Sequence, residues 1–472
     1  MKVLFTSFEC LPFIKVGGLA DVAGTLPKFI REKNIDIRVV LPLHKKIDRK
    51  KFKIKKILNK HFLIPIGKNL EKAEIWTTKY ESVPVYFIEN NKYYDREPIY
   101  GTSAGDYFDN SERFIFFNRA VLELCKSIEF KPDIIHCNDM QTGLIPAYLK
   151  TLYRIDAYFT NTKTIFTIHN IAYQGLYGQD IYFLAGFGWE DFTHDKFEYY
   201  GQINFMKAGI VYADKITTVS PTYAKEIQSS REFGRGMEGV LKSREKNIVG
   251  ILNGIDYQEW NSEKDRYIKN NYSFKNIENK KLSKYDLQEY CNIKKSDEPL
   301  IGMVSRLDPL KGFDLLIEII DELMKLPLQI VILGIGYKEY QDKLKELSLK
   351  FPEKLSLNLE FNNELAHKIY AGSDIFLMPS KTEPCGLGQL IAMKYGTIPI
   401  VHKTGGLADT VDSNCGFVFE NYDSKQLLET IKKAIDKYND PEVWKLYIKN
   451  CMKKNFSWEK SVKEYVSLYK SL

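Results

Sequence analysis

What this 472-residue chain lacks excludes several functions at once. Its seven cysteines (Cys10, Cys125, Cys137, Cys291, Cys385, Cys415 and Cys451) form no C-x-x-C pair and are odd in number. That argues against a zinc module and for free thiols in a reducing compartment. No apolar run approaches the roughly 20 residues of a membrane span. Met1-Lys2-Val3-Leu4-Phe5-Thr6 already reads as a core strand, which leaves no room for a signal peptide. The expected location is the cytoplasm, with no membrane partner. Charge of one sign is scarce too: 68 basic and 61 acidic residues are interspersed and leave a net +7. That is a mildly basic solvated surface rather than a nucleic-acid footprint. No G-x-G-x-x-G follows the first strand, and no G-x-x-x-x-G-K-[ST] loop occurs, which counts against a nicotinamide-dependent dehydrogenase. EF-hand and HExxH patterns are also missing, so no metal and no cofactor are expected.

Apolar residues are plentiful, at 44%, with 13% aromatic, and the length calls for two cores. Strand-like runs at Val3–Thr6, Ile37–Leu41, Glu74–Thr78, Val85–Ile88, Asp133–His136, Thr164–Ile168 and Lys215–Val219 alternate with helical stretches such as Glu112–Leu124. A second series begins after Asn253-Gly254-Ile255-Asp256: Leu300–Val304, Gln329–Leu333, Leu355–Phe361, Asp374–Met378, Ile398–Val401 and Gly416–Phe419. Alternation of this kind predicts α/β architecture, with two Rossmann-like domains built on mostly parallel sheets. The expected bounds are 1–253 and 254–455, with a final helix in 456–472 packing back on the first domain. The polar stretch Asn261 to Lys284 reads as a surface loop.

The chemistry gathers on loops after strands, where open parallel sheets bind ligands. Pro379 to Leu390 links a buried strand to a helix, and Glu383 stands in that link. Lys15-Val16-Gly17-Gly18-Leu19-Ala20-Asp21 brings glycines and a cation to a helix start, whose free N–H groups favour phosphate. Gly17 to Asp21 recurs as Gly405 to Asp409, which suggests two anion-facing helix starts. Asp139 follows one strand and His169 ends another. Alone, each is as well explained by capping or by a structural histidine. Arg306 and Lys311 share one loop; Arg offers a planar fork and Lys a point charge for phosphate.

Together these residues resemble bacterial glycogen synthases and plant starch synthases, from the first strand to the last helix. Lys15-Val16-Gly17-Gly18-Leu19 is similar to the family's K-x-G-G-L loop and Thr382-Glu383-Pro384-Cys385-Gly386-Leu387 to its E-P-C-G-L motif. Thr404–Val411, His169-Asn170 through Gly175, Asn253–Asp256, Ser305-Arg306-Leu307 and Phe456-Ser457-Trp458-Glu459 also fall in family order. The resemblance implies two Rossmann-like domains facing across a cleft, the GT-B architecture. It implies transfer of glucose from ADP-glucose to the non-reducing end of an α-1,4-glucan, with retention of configuration. By the same resemblance Arg306 and Lys311 bind the diphosphate, while Lys15, Gly17, Gly18 and Asp21 close over it. Glu383 holds hydroxyls or acts as nucleophile, His169 contacts the glucose, and Asp139 and Asn253 line the sugar pocket. Phe361 stacks on adenine. Cys385, Gly386, Leu387, Thr404, Gly405 and Gly406 complete the substrate-binding set. Met140, Gln141 and Gly388 depart from the family pattern, where an aromatic, a His and a Thr are usual. A glucan-binding protein without activity is the competing class.

Overall fold

The computed structural model describes residues 1–102 and 105–472, and the side chain of every described residue except Asn59. The chain divides into two compact units: Met1–Ile251 with Trp458–Leu472, and Leu252–Ser457. No helix among the described residues is long and apolar enough to cross a membrane. All seven cysteines are free and buried.

The first unit is built on a nine-stranded sheet. From one edge its strands are Ile248–Gly250, Lys215–Thr218, Lys163–Ile168, Ile134–Asn138, Lys2–Thr6, Asp36–Pro42, Val83–Glu89, Asn69–Tyr80 and Lys55–Ile66. Neighbours are parallel from the first edge as far as Val83–Glu89. The last two strands are antiparallel additions. Lys55–Ile66 carries lysines amid its apolar residues, so its sequence shows no clean period-2 alternation, and no strand is anticipated there. Lysines on an edge strand also discourage pairing with other chains.

Lys2–Thr6 sits between Ile134–Asn138 and Asp36–Pro42, so the chain leaves it first to one side and later to the other. Loops after the strands at such a switch point diverge and leave room for a ligand. The helix Gly18–Arg31 packs on the neighbouring strands Asp36–Pro42 and Val83–Glu89 with Leu19, Ala20, Val22, Ala23, Leu26 and Ile30 turned inward. At Gly24 it comes so near the preceding loop that an added Cβ would lie 2.4 Å from the Leu11 carbonyl oxygen. The terminal helix Trp458–Lys470 packs on the same helix. Its Tyr469 hydroxyl meets His136 Nδ1 at 2.7 Å, and Nε2 of that ring meets Thr167 Oγ1 at 2.6 Å. His136 is thereby a tie between strands and helix.

The second unit has a fully parallel six-stranded sheet in the order Leu355–Asn358, Gln329–Leu333, Leu300–Val304, Ile375–Met378, Ile398–His402, Phe417–Phe419. Read by sequence this is 3-2-1-4-5-6, the doubly wound order, with its switch point between Leu300–Val304 and Ile375–Met378. Leu355–Asn358 is shorter than anticipated, and Phe361 lies beyond its end, 80% exposed.

The polar stretch 261–284 is not a surface loop throughout. Tyr272, Lys280 and Lys284 are buried, and a helix begins at Asn279. Tyr272 donates to the carbonyls of Ala371 and Tyr395. The Lys280 ammonium donates to Ala371 O and Thr397 Oγ1, and Lys284 pairs with Asp374 at 2.7 Å. These polar groups tie the segment to the sheet, because a buried donor needs a partner. Burial brings the Lys280 pKa down to about 7.

Gly24→Val should destabilise the fold by about 1–3 kcal/mol, the usual cost of forcing extra carbons into a packed contact. Urea unfolding checks this; an unchanged midpoint would mean the helix can move away from Leu11.

Candidate active site

In the second unit, loops from the two sides of the switch point meet. Asp308 accepts the Leu310 N–H at 2.8 Å and caps the turn Pro309–Lys311. Gly312 follows at φ +76°, and a Cβ there would lie 2.1 Å from the Pro379 carbonyl oxygen. The Lys381 N–H then bonds Leu310 O at 2.9 Å. The two loops are thus clamped by their backbones before any side chain acts.

Across that clamp Lys311 Nζ donates to Glu383 Oε2 at 2.6 Å, and Ser380 Oγ donates to the same oxygen at 3.0 Å. Glu383 is buried and Lys311 is mostly so. Desolvation offsets much of the attraction in so buried a pair, but removing one member would strand the other as an unpaired buried charge. Arg306, on the Lys311 loop, leaves its side chain 55% exposed, with its nearest carboxylate, Asp308, at 4.0 Å.

Behind Glu383, Thr404, Gly405 and Gly406 form the floor. The Gly406 N–H bonds the Glu383 carbonyl at 3.1 Å. Gly405 has φ +43°, and a Cβ on it would lie 2.0 Å from the same carbonyl oxygen. Gly17–Asp21 and Gly405–Asp409 both open helices, but Gly17 is an extended cap at φ -138° while Gly405 is already the first helical residue. The second copy is packed against the Glu383 loop, whereas a Cβ on Gly17 or Gly18 would meet nothing within 4 Å. The Cys385 thiol is buried, which pushes its pKa up to about 12 and makes it inert. It receives a hydrogen bond from the Asn253 backbone. Asn253 is itself buried, and its Oδ1 has no hydrogen-bond partner among the described residues. Gly386 and Leu387 lead from Glu383 into the helix Gly388–Lys394. Phe361 leaves the sheet by a different strand and makes none of these contacts.

In the first unit, Asp139 and His169 are brought together. Asp139 follows Ile134–Asn138 with φ +55° and ψ 180°, a conformation that costs a non-glycine residue on the order of 1–3 kcal/mol. Its Oδ1 accepts the His169 N–H at 2.7 Å. Burial raises the Asp139 pKa to about 7, against the opposing backbone hydrogen bonds. The His169 ring is buried and its pKa falls to about 3, so it is neutral. Asn138 Nδ2 donates to Thr6 O, which leaves Oδ1 to accept from His169 Nε2 at 2.9 Å. The ring's Nδ1 is then the acceptor nitrogen.

Lys15 and Asp21 form a separate group at the start of Gly18–Arg31, joined at 2.8 Å. The N–H groups of Val16 and Gly17 do not face outward as the sequence suggests: both donate to Glu9 Oε2, at 2.6 and 2.9 Å. Glu9 sits in no recognisable motif; Ser380 lies in the Pro379–Leu390 stretch and Asn138 directly before Asp139, but nothing in the sequence marks their side chains as partners of Glu383 and His169. The sequence signal for Glu9 is an acidic residue in the short link between the first strand and the glycine turn.

The first unit matches the starch synthase catalytic domain over residues 2–243, and residues 291–450 match the glycosyl transferases group 1 model. The chain is 46% identical to a glycogen synthase of Thermotoga petrophila, over 100% of this chain and 98% of that one. It is 45% identical to a glycogen synthase of Elusimicrobium minutum, over 100% and 99%. Among solved structures it is similar to the catalytic domain of starch synthase IV from Arabidopsis thaliana, bound to ADP and acarbose. There the TM-score is 0.91 at 32% identity, covering 100% of this chain and 98% of that one. The paired cation and carboxylate at the second unit's switch point, the Asp139–His169 pair in the first, and these full-length likenesses lead to one conclusion: the chain belongs to the glycogen synthase and starch synthase family of glycosyltransferases.

Proposed function

We propose that this protein elongates glycogen by moving glucose from ADP-glucose to the non-reducing end of an α-1,4-glucan, keeping the α configuration. The Lys311–Glu383 pair carries this reading. Breaking the anomeric C–O bond develops positive charge on the sugar and negative charge on the departing diphosphate. Fixed cations aimed at the diphosphate stabilise that transition state without reorganising. Arg306 and Lys311 supply them, and Arg306 projects an unburied guanidinium suited to bidentate phosphate contact. The second unit, Leu252–Ser457, is the nucleotide-sugar unit, and the first, Met1–Ile251 with Trp458–Leu472, serves the acceptor and the donor-closing loop.

The remaining residues divide the sugar and nucleotide between them. Glu383 Oε2 is already anchored by Lys311 and Ser380. A carboxylate held in this way suits gripping hydroxyls better than attacking carbon. That favours attack by the acceptor on the donor's own face, with the diphosphate taking the proton. The unpaired Asn253 Oδ1 seeks a donor, and a glucose hydroxyl supplies one. Neutral His169 offers Nδ1 to a second hydroxyl, and Asp139 holds that histidine in place. Cys385, Gly386 and Leu387 shape the wall beside Glu383, and Thr404, Gly405 and Gly406 set the height of its backbone. Lys15, Gly17, Gly18 and Asp21 cover the diphosphate, and exposed Phe361 offers a face to the adenine ring. The reading needs no cofactor beyond the two substrates, and its site is the cytoplasm. It stands or falls on incubation with ADP-glucose and glycogen: ADP must be released and the glucan must lengthen, with UDP-glucose as the comparison donor.

Arg306→Ala, Lys311→Ala and Glu383→Gln should each lower turnover by about 100-fold or more, the scale of losing one charge-stabilising group. Circular dichroism should show all three folded; near-normal transfer in the two cation variants would reject their role. Asp139→Asn should gain stability relative to the parent protein as pH rises from 4 to 7. With its pKa raised to about 7, folded Asp139 keeps a proton that the unfolded chain has released, so the parent loses stability across that window. The difference approaches about 4 kcal/mol and levels off above pH 7. Denaturation at several pH values checks this, and a pH-independent difference would contradict it.

A further inference from the structure

Glu9 stands just past the first strand and has no part in the reaction described so far. It is buried, with 4% of its surface exposed, while Lys15 and Val16 are exposed. Its Oε2 accepts the N–H groups of Val16 and Gly17, and its Oε1 accepts the Tyr100 hydroxyl at 2.8 Å. Both oxygens are therefore engaged, one by the glycine turn and one by a fixed aromatic side chain. Tyr100 is itself stacked on Phe8, which is wholly buried. Charge-assisted bonds of this kind are roughly twice as strong as neutral ones.

Besides Glu9, the turn is tied by the Lys15–Asp21 pair and by the Ala20 N–H on Gly17 O, neither of which reaches the amides of Val16 and Gly17. Gly17 and Gly18 have open space above them, and nothing else described bonds the amides of Val16 and Gly17. A pair of glycines loses much conformational freedom on ordering and needs an anchor.

We propose that Glu9 is a positioning residue for the turn Lys15-Val16-Gly17-Gly18. From beneath, its carboxylate consumes two backbone donors and fixes the direction in which Lys15 and the open face over the glycines are presented to the donor diphosphate. The proposal rests on the assignment of that turn to the donor. It also revises what the turn offers an anion: the Lys15 ammonium and the open glycine face, and not the amides of Val16 and Gly17.

The test compares the parent protein with Glu9→Ala and Glu9→Gln. ADP binding is followed by calorimetry, transfer by steady-state kinetics, and amide hydrogen exchange by peptides covering residues 12–19. If the competent turn falls to about a tenth of the population in Glu9→Ala, apparent ADP affinity falls about tenfold. The donor KM rises with it, the acceptor KM stays put, and exchange quickens in that peptide alone. Glu9→Gln stays within about threefold of the parent, because the amide oxygen can accept both N–H groups. Unchanged ADP affinity in Glu9→Ala would overturn the proposal, as would faster exchange throughout the Lys2–Thr6 strand, which would mark Glu9 as a support of the fold. Failure of the parent protein to bind ADP would refute the donor reading instead, and the exchange comparison would still decide whether Glu9 orders the turn.

Discussion

The second unit's site depends on one contact, the 2.6 Å ion pair between Lys311 and Glu383. It joins residues 72 positions apart, and nothing in either loop alone would create it. Strand order does. Because Leu300–Val304 and Ile375–Met378 are parallel neighbours, the loops leaving their carboxyl ends start side by side. The backbone then finishes the work through Lys381 on Leu310 and Gly312 against Pro379. A charged pair so held keeps a cation beside a buried carboxylate before any substrate arrives, so little reorganisation is left for the reaction.

The first unit solves a similar problem differently. Its groups also follow strands at a switch point, but they are organised around neutral or partly neutral side chains. Burial keeps His169 uncharged and brings Asp139 close to half-protonated near neutral pH. Glu9 adds to this by raising the Asp139 pKa through charge repulsion. The division is chemically sensible, since sugar hydroxyls are read by hydrogen bonds and diphosphates by fixed charge.

Much of this was legible in the sequence, for definite reasons. Buried parallel strands are continuous apolar runs, so Leu300–Val304 and Ile375–Met378 stood out, and the loops after them could be searched for charge. Polarity misled where polar side chains serve as internal ties. Lys280, Lys284 and Tyr272 made the 261–284 stretch look like solvated loop, yet each is buried with its partners. The positive φ of Asp139 was beyond reach, because backbone strain is imposed by packing and not by residue type. The repeated Gly-Gly-Leu-Ala-Asp was legible as a helix start but not as two environments, one open and one packed.

The central claim is that protein cations on the second unit recognise a diphosphate. Titration with adenosine, AMP and ADP tests it most directly. The account predicts a steep ladder in which ADP binds at least about 100-fold more tightly than AMP, as expected when a charge-assisted, bidentate phosphate contact of about 3 kcal/mol is gained. Equal affinity for AMP and ADP would contradict it, for then the base and ribose, and not the loop of Arg306 and Lys311, would hold the nucleotide.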